Sequence, residues 1–180
     1  MEWLLELDGR LLLWIMETFS HPVLDKIMIF LSSICDDGEI WIAIGVLFLL
    51  MGFKKREWVW KGWMVLFSLA ANYLVCNKTL KPLIGRTRPY YVLGYEALVP
   101  PVGDPSFPSG HTSVSFAAAT AIYAINKKWG IAAYVLATVI GFSRLYLGVH
   151  FPTDVICGAV VGTLAAKVVV HLMKRKKKEG

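Results

Sequence analysis

The sequence predicts an all-α fold: a polytopic membrane helix bundle of six transmembrane helices, preceded by an amphipathic helix at the membrane interface. Of the 180 residues, 56% are hydrophobic and only 18% are charged, which lies outside the usual range of soluble domains. The mean hydropathy is +0.55, and the apolar residues form runs separated by clusters of lysine and arginine. We therefore expect residues 1–180 to form a single integral membrane domain.

The first predicted element is an amphipathic helix over residues 1–20. Its large apolar side chains recur near helical spacing, with charged residues mostly between them, which is typical of a helix lying in the interface. The segment lacks the basic start and small-residue cleavage site of a signal peptide. The apolar positions are Trp3, Leu4, Leu7, Leu11, Trp14, Ile15 and Phe19.

Six crossings follow from hydropathy, at about 17–20 apolar residues for each crossing. The first is the weakest, because it is short and contains Asp25 and Lys26. The predicted crossings are residues 23–35, 40–53, 59–75, 111–125, 130–147 and 153–172.

The basic residues predict the orientation. Eleven of the 19 lie in three segments, 54–61, 127–128 and 174–178, the last of which belongs to a basic tail over 174–180. The positive-inside rule places all three segments in the cytoplasm. With six crossings, both termini are then cytoplasmic, and the outer face carries the loop 77–110 and a short turn containing His150. Topology and attraction to anionic lipids then explain the net charge of +6 without nucleic acid.

Five basic residues lie on the predicted outer face, where few are expected. Any one alone could be a snorkelling headgroup anchor. In "KPLIGRTRP", however, Pro82 and Gly85 separate Lys81 from Arg88, which indicates a constrained loop that can turn both cations toward one anion. The five are Lys78, Lys81, Arg86, Arg88 and Arg144.

The stretch "PSGH" predicts a second part of the same outer site. Ser109 is a good N-cap for the helix that begins near His111, and Gly110 lets the backbone approach a ligand closely. Free amides at a helix N-terminus, together with the helix dipole, favour binding of an anion.

The stretch "SRLYLGVHFPTD" predicts a reactive histidine. Arg144 ends the fifth crossing, and Pro152 suits the first turn of the sixth. Asp154 follows His150 by four residues, close enough to accept a hydrogen bond from its ring. A carboxylate on one ring nitrogen leaves the other free as a nucleophile or base, although an isolated pair of this kind is commonly only a helix cap.

In this order and spacing, the three stretches resemble the signature of the type 2 phosphatidic acid phosphatase superfamily, which are integral membrane lipid phosphate phosphatases. The resemblance implies that His150 attacks phosphorus to form a phosphohistidine and that Asp154 orients it. It implies that His111 protonates the leaving oxygen and later activates water. It further implies that the phosphoryl oxygens are held by Lys81, Arg88, Ser109, Gly110 and Arg144.

No cofactor or metal is expected. Lys81, Arg88 and Arg144 supply three positive charges for the charge that gathers on the phosphoryl oxygens in the transition state. The sequence contains no carboxylate-rich or His/Cys cluster with metal-ligand spacing, and its three cysteines show no metal or redox pattern.

The expected partners are the bilayer and a lipid phosphate, since the predicted site lies at the membrane surface between apolar helices. The loop 90–107 is long enough to act as a lid or headgroup selector. By resemblance to small bacterial members, the candidate substrates are undecaprenyl diphosphate, phosphatidylglycerophosphate and phosphatidic acid. The first ranks slightly ahead because the site faces outward, where that carrier is recycled. A bacterial plasma membrane is the expected location.

Two alternatives stay open. A membrane transporter or non-catalytic anion-binding protein would explain the polar residues, but it predicts symmetric broken helices in two halves. The haloperoxidases share the same signature, but those enzymes are soluble and larger than this chain. Outside the motifs, His21 and His171 are predicted near the cytoplasmic face. Within the first motif, Arg86 is a candidate contact to a second phosphate or headgroup.

Overall fold

The computed structural model describes residues 2–179, except for the side chains at positions 2, 4, 37 and 177–179. Predictions that concern residues 1 and 180, or the side chains of the basic tail from 177 onward, lie outside the described residues. Every regular element in the described part is helical, so the predicted all-α class is confirmed.

The helices differ greatly in length. A single 3-10 turn, Asp36–Gly38, precedes α3, and a π-helical turn, Leu74–Leu80, joins α4 to α5. The helices are α1 (Glu2–Phe19), α2 (Pro22–Ser33), α3 (Glu39–Met51), α4 (Glu57–Tyr73), α5 (Lys81–Ile84), α6 (Pro89–Leu93), α7 (Gly110–Ile125), α8 (Lys127–Tyr146) and α9 (Pro152–Glu179).

Five of these helices, α3, α4, α7, α8 and α9, run between two ends of the bundle. One end, which we call the motif end, holds the three motif stretches. The other, which we call the aromatic end, holds a cluster in which Phe48 contacts both Trp58 and Trp129, with ring centroids 5.2 and 6.0 Å away. The basic segments 54–61 and 127–128 and the last turns of α9 lie toward the aromatic end.

Helix α7 forms the centre of the bundle and packs against α4, α8 and α9. Small residues allow this close packing, as is common between helices in membranes. A Cβ atom on Gly158 of α9 would lie 2.7 Å from the Ser109 carbonyl oxygen, and one on Gly162 would lie 2.0 Å from that of Ser113. The two glycines therefore set how closely α9 approaches α7.

Helix α2 does not run between the two ends. At its start, the Tyr146 hydroxyl accepts a hydrogen bond from the His21 amide (3.2 Å) and donates one to Asp25 Oδ1 (2.5 Å). At its other end, Arg144 Nη1 donates to Ser32 Oγ. One turn of α8 thus contacts both ends of α2, and a crossing helix could not do this. The predicted crossing over residues 23–35 is therefore not confirmed, and the placement of His21 a bilayer away from the motifs is wrong.

Helix α1 also lies at the motif end, where Asp8 Oδ1 accepts a hydrogen bond from the Thr153 amide (3.0 Å). It exposes Trp3, Leu7 and Trp14 but buries both Asp8 and Ile15, so the predicted interfacial amphipathic helix is not confirmed. Because five helices connect the two ends, α1 and the last turns of α9 lie at opposite ends. The prediction that both termini share one side is therefore not confirmed.

Three stretches of the described chain are long and apolar enough to span a bilayer: Glu57–Leu93, Lys127–Tyr146 and Pro152–Lys176. Helix α3 is apolar but has only 13 residues. The chain has the character of a membrane protein, whereas the predicted count of six crossings is not confirmed.

Candidate active site

The three motif stretches meet at a cavity of about 970 Å³ at the motif end. Six of the eight residues predicted for the site line this cavity, and Ser109 and Asp154 lie behind its wall. The six are Lys81, Arg88, Gly110, His111, Arg144 and His150.

Breaks in the helices bring the first motif to the cavity. The π-helical turn Leu74–Leu80 ends at Lys81, and π turns commonly occur where a helix carries functional residues. The predicted break then occurs at Gly85, whose φ of 60° is a left-handed conformation that favours glycine. The chain turns there, so that Lys81 and Arg88 reach the same cavity.

His150 is only 1% exposed, and its two ring nitrogens have different surroundings. Nδ1 lies 3.5 Å from Asp154 Oδ2 and 3.4 Å from Ser106 Oγ. Nε2 lies 3.4 Å from Arg88 Nη1 on the cavity side. Burial lowers the pKa of His150 to about 3, and the nearby positive charges of Arg88 and Arg144 act in the same direction. The imidazole is therefore neutral at physiological pH, as a nitrogen nucleophile must be.

Asp154 is fully buried, and both of its carboxylate oxygens are bonded. Oδ2, the oxygen next to His150, accepts hydrogen bonds from Ser106 Oγ and from the Phe151 amide (2.9 Å). Oδ1 accepts one from Arg86 Nη1 (2.6 Å). The carboxylate is therefore held in one orientation behind the histidine.

Arg86 does not line the cavity, so its predicted contact with a second phosphate is wrong. Its guanidinium group is drawn to two buried carboxylates, those of Asp154 and Asp8, which lie 2.6 and 2.7 Å from its nitrogens. A guanidinium group is stabilised more by two buried carboxylates than by an open cavity that already contains other cations.

Asp104 bridges the two cations of the first motif. Arg88 Nη2 donates to Asp104 Oδ1 (2.5 Å), and Lys81 Nζ donates to Asp104 Oδ2 and to the Pro105 carbonyl oxygen (3.0 Å). Partial burial alone would raise the pKa of Asp104, but Lys81 and Arg88 hold it below its usual value. Two oxygens of one anionic group thus contact both cations, as two oxygens of a phosphoryl group could.

The two remaining motif residues of the cavity, His111 and Arg144, contact the turn before α3 and the end of α2. His111 Nε2 lies 2.8 Å from Asp36 Oδ1, which precedes α3. Arg144 is 4% exposed and donates from Nη1 to Ser32, while its Nε atom has no hydrogen-bond partner among the described residues. A buried guanidinium nitrogen without a partner at a cavity wall is suited to donate a hydrogen bond to an anionic oxygen.

Ser109 is the N-cap residue of α7, as its sequence position indicates, but its side chain makes no capping bond. Its amide donates to the Asp154 carbonyl oxygen (3.0 Å), and its hydroxyl accepts from Thr112 (3.0 Å). These bonds join α7 to the start of α9. In the structure Ser109 thus connects two helices and is not part of the cavity wall, whereas Gly110 is.

One wall of the cavity is apolar. It is formed by side chains of α3, α4 and α7 and lies next to the three cations. These side chains are Ile42, Leu66, Leu69, Ala70 and Val114. The cavity therefore combines a cationic part, which suits a phosphate, with an apolar part, which suits a hydrocarbon chain.

Sequence reasoning missed four polar residues that complete the site: Asp8, Asp36, Asp104 and Ser106. None belongs to the quoted signature positions, and each contacts a motif residue that is distant in sequence. Only Ser106 and Asp104 carried a signal, because these polar residues lie within five residues of "PSGH". Within the described chain, no three His, Cys, Asp or Glu side chains form a metal-binding group.

The chain is similar in sequence to a known protein family and to several characterised proteins. A family model described as the PAP2 superfamily matches residues 61–178. The undecaprenyl-diphosphatase BcrC of Bacillus subtilis (strain 168) is 28% identical over 144 residues, which cover 80% of this chain and 72% of the relative. A lipid A 4'-phosphatase of Porphyromonas gingivalis is 28% identical over 195 residues, covering 98% of this chain and 78% of the relative.

A solved structure shares the fold over nearly the whole chain. It is the crystal structure of a transmembrane PAP2-type phosphatidylglycerolphosphate phosphatase from Bacillus subtilis, with a TM-score of 0.80 and 26% sequence identity. The match covers 97% of this chain and 88% of that one.

Proposed function

The chain belongs to the PAP2 superfamily of membrane lipid phosphatases, and we propose that it hydrolyses a lipid phosphate or diphosphate without a metal, through a phosphohistidine on His150. One observation carries the proposal. Three buried cations, Lys81, Arg88 and Arg144, line the same cavity as a neutral histidine whose Nε2 is 3.4 Å from one of them.

The first chemical step is attack of His150 Nε2 on the terminal phosphorus, which forms a P–N bond while the P–O bond to the leaving group breaks. The leaving group is the lipid monophosphate of a diphosphate or the lipid alcohol of a monoester. His111, on the same cavity wall, gives a proton to the leaving oxygen. Asp154 stabilises the positive charge that develops on the ring by accepting a hydrogen bond from Nδ1. Lys81, Arg88 and Arg144 stabilise the negative charge on the equatorial phosphoryl oxygens.

The second step is hydrolysis of the phosphohistidine. Water attacks phosphorus, His111 accepts a proton from it, and the P–N bond breaks to release inorganic phosphate and neutral His150. Gly110 leaves room for the phosphoryl group close to the start of α7. Ser109 acts in this scheme by joining α7 to Asp154 and not by contacting the phosphate.

Within this class, we propose undecaprenyl diphosphate as the substrate, with phosphatidylglycerophosphate and phosphatidic acid as alternatives. The apolar wall beside the cations supports a lipid-borne phosphate. The names of the relatives support both diphosphate and monoester substrates. A site on the extracytoplasmic face favours the diphosphate, because that carrier is recycled there.

The proposed orientation places the cavity outside the cell. The basic segments lie toward the aromatic end, and the positive-inside rule assigns that end to the cytoplasm. The motif end, with α1, then lies on the extracytoplasmic face, and the C-terminal end of α9 lies in the cytoplasm.

The test is phosphate release by the purified protein in detergent with excess chelator. The substrates are undecaprenyl diphosphate, undecaprenyl monophosphate, phosphatidylglycerophosphate, phosphatidic acid and a soluble sugar phosphate. His150→Ala should abolish release, while His171→Ala, an exposed histidine near the far end of α9, should leave it unchanged. Vanadate should act only as an inhibitor.

Turnover that survives chelator, depends on His150 and is greatest with undecaprenyl diphosphate would support the proposal in full. Greatest turnover with another lipid would replace the substrate. A folded protein that binds phosphate but turns over none of the five compounds would instead be a non-catalytic anion-binding protein.

A further inference from the structure

Arg86 is the basic residue of the first motif that the proposed mechanism does not use. It lies between Lys81 and Arg88 in sequence, yet it is absent from the cavity wall, and its side chain is only 16% exposed. Its guanidinium carbon lies 4.0 Å from the centre of the Phe151 ring, next to His150 in sequence. Because Arg86 lies behind the proposed nucleophile and away from the cavity, its partners are side chains of the protein and not the substrate.

Arg86 forms a compact group with Asp8 of α1 and Thr153 of α9, and we call these three residues the clasp. Asp8 Oδ2 accepts hydrogen bonds from Arg86 Nη2 (2.7 Å) and from the Thr153 hydroxyl (2.5 Å), while its Oδ1 accepts from the Thr153 amide (3.0 Å). Arg86 Nη1 also donates to the Thr153 hydroxyl oxygen (2.7 Å). Asp8 thus links Arg86 to Thr153, which lies three residues after the nucleophile.

The clasp acts on the catalytic carboxylate through one oxygen. Arg86 Nη1 donates to Asp154 Oδ1 (2.6 Å), which leaves Oδ2 for His150 and Ser106. A planar guanidinium group bonded at two of its nitrogens has little freedom to rotate, so it sets the plane of the carboxylate. Its charge also compensates two carboxylates, Asp8 and Asp154, whose side chains are only 2% and 0% exposed.

We propose that Arg86 is a positioning residue that fixes the Asp154 carboxylate behind His150, and that Asp8 holds Arg86 in place, so that the N-terminal helix α1 is part of the catalytic apparatus. The inference rests on the proposed phosphohistidine mechanism. It assigns α1 a role in the reaction beyond contact with the membrane surface.

The clasp predicts that loss of Arg86 lowers kcat and leaves KM nearly unchanged. Because Arg86 does not touch the cavity, its loss should leave substrate binding intact and slow formation of the phosphohistidine. Arg88, which lines the cavity and contacts both Asp104 and His150, is the comparator, and Arg88→Lys should raise KM and weaken inhibition by inorganic phosphate. A general structural defect would instead lower the fraction of active enzyme in both variants alike.

The first experiment measures kcat, KM and inhibition by inorganic phosphate for Arg86→Gln, Arg86→Lys, Asp8→Asn and the Arg86→Gln/Asp8→Asn double variant. We expect kcat to fall about 10- to 100-fold in Arg86→Gln, the range seen when partners behind a functional group are removed. KM and phosphate inhibition should change less than about threefold. Arg86→Lys, which keeps the charge, should recover part of the loss. Lys78→Gln, a basic residue of the same segment that is exposed, should behave as wild type.

The double variant tests whether Asp8 acts through Arg86. If it does, the double variant should be no slower than Arg86→Gln alone. Multiplied losses would overturn the link to α1, and a raised KM with unchanged kcat in Arg86→Gln would mean that Arg86 binds substrate. Unchanged kinetics in all clasp variants would overturn the proposal.

A second measurement does not depend on turnover. The Nδ1 proton of His150 can be identified by proton NMR of the detergent-solubilised protein as the resonance that His150→Ala removes. Arg86→Gln and Asp8→Asn should shift this resonance, and Lys78→Gln should not. Should wild type fail to release phosphate, the proposed function fails, and this comparison alone decides whether the clasp positions His150. An unshifted resonance in folded variants would overturn the inference.

Discussion

At the scale of single residues, the site brings three buried cations together, and one carboxylate bridges two of them. Asp104 bonds to both Lys81 and Arg88, which the proposed mechanism requires for phosphate. Lys81 and Arg88 therefore bind the Asp104 carboxylate in the absence of substrate, and the substrate phosphate has to take its place. Substrate must displace a group that is tethered to the site but is itself 43% exposed, and hence only partly removed from water.

Asp104→Asn should strengthen substrate binding. The amide keeps the size of the side chain but removes the competing charge, so KM and the inhibition constant for inorganic phosphate should both fall about three- to tenfold, as expected for a partly exposed ion pair worth about 1 kcal/mol. Steady-state kinetics would measure both. Glu96→Gln, a carboxylate in the same loop that does not line the cavity, is the matched control. A higher KM in Asp104→Asn would show that Asp104 helps to organise the cations instead.

His150 should remain neutral far into the acid range. Its pKa of about 3 lies below the value near 6.5 of an unperturbed histidine, because burial disfavours the charged ring. The ring therefore keeps its free lone pair as the pH falls from 8 to about 4.5 and loses it only near pH 3. An NMR titration of the ring nitrogens, with His150→Ala for assignment, should show no protonation over that interval. A midpoint near pH 6 would contradict the described burial.

At the scale of elements, the packing of α9 on α7 positions both halves of the site. Helix α7 carries Gly110 and His111 at its first turn, and α9 carries Asp154 at its first turn. The two helices approach closely at Gly158 and Gly162, and the bond from the Ser109 amide to the Asp154 carbonyl oxygen joins their ends. The relative position of the two motifs therefore depends on residues with no side chain.

Gly162→Ala should destabilise the bundle. The added Cβ would lie 2.0 Å from the Ser113 carbonyl oxygen, so the helices must separate, and overpacking of this kind costs about 1–3 kcal/mol. Thermal unfolding in detergent, followed by tryptophan fluorescence, should show a lower Tm. Gly103→Ala is the matched control, because nothing lies within 4 Å of its Cβ position. Equal Tm values for the two variants would contradict the close packing of α7 and α9.

At the scale of the whole molecule, the ends of the bundle differ in chemistry. The motif end contains the cavity, α1, α2 and the acidic turn Asp36–Gly38. The aromatic end contains the Phe48, Trp58 and Trp129 cluster and the adjoining basic segments. In the proposed orientation, the basic segments lie on the cytoplasmic side, where lysine and arginine are retained, and the proposed phosphate site on the other side has its own cations.

The proposed orientation can be tested by labelling intact cells with a membrane-impermeant thiol reagent. Cysteines introduced at the exposed positions Arg10, Gly103 and Lys55 report α1, the cavity loop and the α3–α4 connection. Arg10→Cys and Gly103→Cys should be labelled in intact cells, and Lys55→Cys only after permeabilisation. The unaltered protein measures the background from its own three thiols. Labelling of Lys55→Cys but not Gly103→Cys in intact cells would reverse the orientation.

By itself the sequence determined the membrane class, the helical fold and six residues of the cavity wall. Hydropathy and short motifs are local properties, and the signature residues lie within one stretch of the chain, 81–154. Only the tertiary structure decided that α2 lies at the motif end, that α1 and the last described turns of α9 lie at opposite ends, and that Arg86 faces Asp154 instead of the cavity. These outcomes depend on contacts between distant residues, such as Asp8 with Arg86, 78 positions apart, and Asp8 with Thr153, 145 apart. A side chain binds the partner that offers it the most favourable charge and burial, and that partner is known only when the helices have packed.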